Sequence, residues 1–345
     1  MDKIDRYTPL VHDGLERFLE DKRTGGGATR WHADVLERLA PFVTNGKLLR
    51  GSLVCFAYEM FAHAPADKPV IRTAMALELA HSGLLVHDDI MDDDPLRRGK
   101  PSFHQQYRSL GAHEELAHEV RFGSNMAICA GDAALFMAFE LLAGCPAPAV
   151  RLFTEQLVVT CAGQMHDLYL EANPALPSKQ AIYELMETKT ASYTLALPLT
   201  LGASLAGRSG KTLERLRDTG MKAGIIFQIR DDELGVMGDT EDTGKPVGSD
   251  IIEGKKTLLY YYLLQACSRG ERQKIITIFG NRAATAEDIG YVRSLVVERG
   301  ISASLHREIN ALEKQAATII NGLDVLEKNK GELMELIRFC GRRHA

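Results

Sequence analysis

Residues 85 to 101 read LVHDDIMDDDPLRRGKP and gather five aspartates, Asp88, Asp89, Asp92, Asp93 and Asp94, beside two arginines. On a helix, Asp88 and Asp92 project from one face about one turn (~5.4 Å) apart. Like charges repel at that spacing and Asp is a mediocre helix former, so a purely structural helix gains nothing from the arrangement. A hard cation removes the cost. Oxygen-only donors suit Mg2+, which takes one or two carboxylates and completes its shell with water and substrate phosphates. Arg97 and Arg98 offer forked donors matched to phosphate oxygens. The plain alternative is a solvated acidic helix end followed by a basic loop.

A second acidic segment, Phe227-Gln228-Ile229-Arg230-Asp231-Asp232-Glu233-Leu234-Gly235, repeats the pattern of an apolar helix running into paired carboxylates. Lys245 and Lys255 follow in a Gly-rich stretch and are available to an anion. Two such acidic mouths facing each other would clamp a metal-bound diphosphate.

The elements that must position these residues read as helices. Apolar residues recur at three-to-four-residue spacing over long segments, while alternating strand-like runs are nearly absent. The spacing predicts an all-α chain with helices over 46–63, 69–92, 123–144, 147–171, 178–190, 192–207, 211–237, 256–267 and 299–325. Loops are predicted at 24–28, 145–148, 173–177 and 239–254, none long enough to separate independent cores, so residues 1–345 are expected to form a single domain. A 45% hydrophobic content fills a sizeable core, and a net charge of -5 argues against a general nucleic-acid binder. Six cysteines with no C-x-x-C spacing read as reduced thiols. The N-terminus lacks an apolar signal core and no uninterrupted apolar run spans a bilayer, which points to a cytoplasmic protein without membrane insertion. Three motifs are set aside. His113 to His118 spaces its histidines five apart rather than four and reads as surface helix; Ser209 to Thr212 lacks the first P-loop glycine; and Gly25 to Gly27 lacks the dinucleotide spacing.

The two acidic segments resemble the aspartate-rich motifs of the polyprenyl synthetase family. Further family marks follow in order: Asn45-Gly46-Lys47-Leu48-Leu49-Arg50, Ala130-Gly131-Asp132, Gly163-Gln164-Met165-His166-Asp167 and Lys189-Thr190, so that the likeness covers roughly residues 40 to 260. The resemblance implies the isoprenoid synthase fold, a bundle of antiparallel helices around a central apolar tunnel, and a homodimer. It also implies Mg2+-dependent condensation of isopentenyl diphosphate with an allylic diphosphate. Asp88 and Asp92 would bind two Mg2+ ions on the allylic diphosphate with Asp89 in support, and Asp231, with Asp232, a third. Arg97, Lys189 and Lys245 would contact that diphosphate. Gly46, Lys47, Arg50, His81 and Arg98 would hold isopentenyl diphosphate, with Thr190 and Gln228 near the reacting carbons.

Asn45, Leu48 and Gly51 depart from the family's usual G-G-K-R-L-R-P, and Gly235 stands where the last aspartate of D-D-x-x-D is usual. A terpene cyclase would not need the Gly46, Lys47 and Arg50 set, and a non-catalytic partner subunit would be expected to lose its acidic motifs. In this family, residues just before the first acidic motif set product length. Ala80, Gly83 and Leu84 place no aromatic plug there, so the expected product is geranylgeranyl diphosphate, C20, with C25 or longer as the alternative. Phe136 and Phe139 are candidates for a deeper floor. On this reading, a ring introduced at Gly83 should shorten the product toward C15.

Overall fold

The computed structural model describes residues 2–25, 29–238 and 248–342. Its elements are almost all helical: α1 (Asp2–Asp5), α2 (Thr8–Thr24), α3 (Arg30–Thr44), α4 (Leu49–Ala62), α5 (Lys68–Met91), α6 (Phe103–His113), α7 (Glu119–Leu141), α8 (Ala147–Ala172) and α9 (Lys179–Leu185). A π-helix (Met186–Ala196) then leads to α10 (Leu197–Leu205), α11 (Lys211–Met237), α12 (Ser249–Glu253), α13 (Leu258–Ala266), α14 (Arg269–Ile278), α15 (Ala286–Glu298), α16 (Ile301–Asn321) and α17 (Glu327–Arg342). A two-residue hairpin, β1 (Leu96–Arg97) and β2 (Lys100–Pro101), completes the set.

The all-α expectation holds, with several corrections. Helices α1, α2, α3, α6, α12, α14, α15 and α17 lie outside the predicted helical segments, α12 within the predicted loop at 239–254. Their apolar stripes are narrow, Val11, Leu15 and Leu19 in α2 and Leu333, Leu336, Ile337 and Cys340 in α17, and dense charges around them mask the period. The break predicted near residue 191 is absent, because the π-helix joins α9 to α10. The His113 to His118 segment is no surface helix: α6 ends at His113, and Glu115 and His118 adopt left-handed backbone with φ of 53° and 58°.

The chain divides into two compact units, Met1–Arg151 with Pro198–Ser209 and Leu152–Leu197 with Gly210–Ala345. In the first unit, α5 starts at a proper cap, the Asp67 side chain accepting from the Val70 amide at 3.1 Å. It stops at Met91, where the Asp92 amide still bonds the Asp88 carbonyl and Asp93 turns left-handed. Helix α7 is, among the described residues, the one helix long and apolar enough to cross a membrane. It packs inside this unit against α5 and α6, with Gly111 of α6 meeting its Phe122 and Gly83 of α5 meeting its Gly131.

In the second unit, α11 lies against the π-helix through two glycines. A Cβ on Gly224 would overlap Ala191, and one on Gly220 would overlap Ala196. A third glycine, Gly163 of α8, approaches the Lys189 backbone so closely that a Cβ would stand 2.5 Å from its amide nitrogen. These contacts leave no depth for any side chain and fix the register of the π-helix.

Gly224→Ala should therefore destabilise the protein by about 1–3 kcal/mol through overpacking. Gly290→Ala, in mid-α15 with open space around it, should stabilise by about 0.5–1 kcal/mol. Thermal denaturation of both variants checks the pair; similar melting shifts of one sign would contradict the packing account.

Candidate functional site

In the first unit, a cationic cradle forms where α3 gives way to α4. Asn45 ends α3, its side-chain amide donating to the Pro41 carbonyl at 2.7 Å, and Gly46 and exposed Lys47 follow. Leu48 then takes left-handed backbone, φ 46°, at the N-cap of α4. That conformation costs about 1–2 kcal/mol for a non-glycine residue, and burying the Leu48 side chain offsets it. Opposite stands Arg98, itself left-handed with φ 53° at the tip of the β1–β2 hairpin beside Gly99. The Arg98 guanidinium donates to the Phe42 carbonyl at 2.8 Å and rests against Gly46, where a Cβ would lie 3.0 Å from a guanidinium nitrogen. A side chain at 46 would press on the guanidinium.

His81 of α5 is half-buried beside this cradle. Burial first, and then the positive charges of Arg50, Arg98 and Arg97, hold its imidazole well below the usual 6.5. It is a neutral donor–acceptor among cations.

Seven residues on, α5 ends in its aspartates. Asp88 is partly exposed, while Asp89 is fully buried. Arg97 grips Asp89 with Nε donating to Oδ1 at 2.6 Å, and reaches Asp94 at 3.2 Å and Asp88 at 3.7 Å. Burial pushes the Asp89 carboxyl up to about 6 against the pull of Arg97, and its other oxygen is buried without a hydrogen-bond partner among the described residues. Asp92 closes the helix end.

In the second unit, the π-helix carries Lys189 and Thr190. The Lys189 ammonium pairs with Asp167 of α8. On α11, Asp231 is exposed and Asp232 buried, and Gln228 one turn earlier donates to Asp232 at 2.6 Å. Burial and then the nearby Asp250 raise the Asp232 carboxyl well above its usual range. Asp250 fills the space a side chain at Gly235 would need, since a Cβ there would overlap its carboxylate. Lys255 lies 2.6 Å from Glu253 and 3.9 Å from Asp250. Lys245 falls outside the described residues.

Two expectations about product length do not hold. Gly83 does not open onto free space: a Cβ there would stand 2.8 Å from the Gly131 carbonyl and 3.1 Å from Leu135, so the position seats α5 on α7 and a phenyl ring would force them apart. Ala80 is buried and Leu84 half-buried. Phe136 and Phe139 are 69% and 44% exposed on α7, so they do not floor an interior tunnel. Two carboxylates escaped sequence reasoning, Glu78 beneath the cradle and Asp250 beside Asp232. The signal for Asp250 was its place in the Gly-rich stretch between Lys245 and Lys255; for Glu78, a charge in the apolar stretch three residues before His81.

A sequence model of the polyprenyl synthetase family matches residues 32–296. A short chain isoprenyl diphosphate synthase of Methanothermobacter thermautotrophicus is 36% identical over 241 residues, covering 68% of this chain and 68% of that protein. A geranylgeranyl diphosphate synthase of Sulfolobus acidocaldarius is 31% identical, over 82% and 81%. Among solved structures, a Corynebacterium glutamicum geranylgeranyl pyrophosphate synthase complexed with isoprenyl diphosphate and magnesium superposes with a TM-score of 0.89 at 30% identity, covering 99% of each chain.

The neutral His81 generates a pH signature. In the unfolded chain the imidazole gains a proton near pH 6.5, and the folded site refuses it, so its share of stability is intact above that pH and is lost as pH falls. The loss approaches about 1.4 kcal/mol per pH unit once the pH is well below 6.5 and ends where the folded site itself takes up the proton. Melting curves of the wild type and His81→Asn from pH 7.5 to 5.5 should converge as pH falls; parallel curves would show that His81 takes up its proton in the fold.

Proposed function

The chain belongs to the polyprenyl synthetase family and is an enzyme of the trans-isoprenyl diphosphate synthase type, and we propose that it extends an allylic diphosphate with isopentenyl diphosphate to geranylgeranyl diphosphate, C20. The observation that carries this reading is the presence of two kinds of anion chemistry. Carboxylates stand at Asp88 in the last turn of α5 and at Asp231 inside the C-terminal part of α11, whereas the cradle of Gly46, Lys47, Arg50 and Arg98 around neutral His81 offers cationic donors. A metal-bridged diphosphate suits the first and a metal-free one the second.

The acidic donor sets fit Mg2+, being oxygen only, with the unpartnered buried oxygen of Asp89 behind Asp88. In the proposal Asp88, Asp89 and Asp92 serve two ions, and Asp231, Asp232 and Asp250 a third, Asp250 standing where Gly235 leaves room. Bound Mg2+ would neutralise charge growing on the departing diphosphate. In the proposal Lys189, Lys245 and Arg97 set fixed positive charge against the same leaving group, with Lys255 as a further cation. The carbon–oxygen bond breaks with its electron pair going to diphosphate. The double bond of isopentenyl diphosphate, held on Lys47, Arg50, His81 and Arg98, then attacks the allylic cation beside Thr190 and Gln228. A proton leaves to the departed diphosphate.

The reading takes residues 1–345 as one catalytic domain, supported by a family match that runs through both compact units. It takes the enzyme as a cytoplasmic homodimer. Each unit exposes apolar residues that support a partner surface of its own, Phe136 and Phe139 on α7 in the first and Val158 (69%) and Met165 (72%) on α8 in the second. C20 rests on the absence of an aromatic ring at Ala80 and Leu84 and on the name of the Sulfolobus relative.

Purified protein with isopentenyl diphosphate, an allylic primer and Mg2+ should yield a C20 product by mass. A C15 or a C25 or longer product would overturn the length, and no product at all would favour a non-catalytic subunit. Asp88→Ala should lower turnover by about two orders of magnitude or more with the fold retained. Leu84→Phe replaces Gly83→Phe as the probe of length and should shift the product toward C15; an unchanged product distribution would remove position 84 from the tunnel.

A further inference from the structure

Helix α4 begins without a cap of its own. Its N-cap residue is Leu48, whose side chain accepts no hydrogen bond, at a position where Ser, Thr, Asp or Asn normally serves. The acceptor comes instead from another helix. Glu78, in mid-α5, takes the amide of Gly51 on Oε1 at 2.7 Å, and the Arg50 amide also donates to this carboxylate. These are the second and third residues of α4, the amides that a cap satisfies. Gly51 makes the approach possible, since even a Cβ there would be 3.2 Å from Glu78 Cγ and 3.1 Å from the Ala74 carbonyl.

Capping alone does not require a charge. A buried carboxylate is costly unless cations and N–H donors surround it. Glu78 is buried, and burial raises its carboxyl while Arg50, the Gly51 amide and Arg98 oppose the rise. The positive charges of Arg50 and Arg98 that act on Glu78 also act, with that of Arg97, on His81. Without a counter-charge these arginines repel one another. We propose that Glu78 is the positioning residue of the isopentenyl diphosphate site, its carboxylate holding the α4 N-terminus, Arg50 and Arg98 in the arrangement that receives the diphosphate. It does not touch the substrate itself. The inference rests on the reading above that assigns isopentenyl diphosphate to Lys47, Arg50 and Arg98.

The test titrates isopentenyl diphosphate, without Mg2+, into wild type, Lys47→Ala, Glu78→Gln and Glu78→Asp by calorimetry, and measures Michaelis constants for both substrates. Glu78→Gln should weaken isopentenyl diphosphate about tenfold and leave the constant for the allylic partner within about twofold. Glu78→Asp keeps the charge on a shorter arm. It should show a smaller loss with the same split, and it carries the test if the glutamine variant does not fold. Lys47→Ala reads the site assignment by itself. If that change leaves isopentenyl diphosphate binding intact, the assignment fails; if it weakens binding while Glu78→Gln binds as wild type, or raises both constants equally, the role of Glu78 fails.

Discussion

Charge of one sign has to be held in place before any ligand arrives, and this constraint shapes both functional regions. Arg50, Arg97 and Arg98 gather around one imidazole, and Asp88, Asp89 and Asp94 crowd a single helix end. Each group is stabilised by a member of opposite sign set inside it. Arg97 is locked to Asp89, and buried Glu78 faces Arg50 and Arg98. The two carboxylates, Asp89 and Glu78, are buried, so removing the cations that face them would leave an uncompensated buried charge, which costs far more than an exposed ion pair contributes. The result is a set of side chains whose directions are fixed in advance, which lowers the ordering cost of binding.

The second requirement is close backbone approach. Lys189 and Thr190 sit on a π-helix, a winding seldom kept over many residues and common at functional sites. Gly163, Gly220 and Gly224 press on it from α8 and α11 without room for a methyl group. Gly46 plays the same part for Arg98, and Gly51 for Glu78. Strained backbone at Leu48 and Arg98 persists because buried packing around the first, and the hydrogen bond to Phe42 from the second, over-determine it. Gly235 belongs to another class. Its missing side chain gives Asp250 the space, so a departure from the family pattern is matched by a carboxylate from a different element.

The sequence by itself determined the helical class, the long helices α4, α5, α7, α8 and α11, and the two acidic ends with their flanking cations. Strong apolar periodicity and clusters of like charge are local signals that survive in one dimension. Helices with narrow stripes among dense charges, such as α2 and α17, were hidden because their apolar residues are too few to stand out until packing selects them. Only the tertiary structure decided which side chains meet. That Glu78 caps a helix beginning 29 residues earlier than itself, that Asp250 fills the place of a side chain at 235, and that Gly83 faces a neighbouring backbone are contacts across elements. Contact across elements follows from how helices pack and rotate against one another, and residue spacing along the chain carries no record of that rotation.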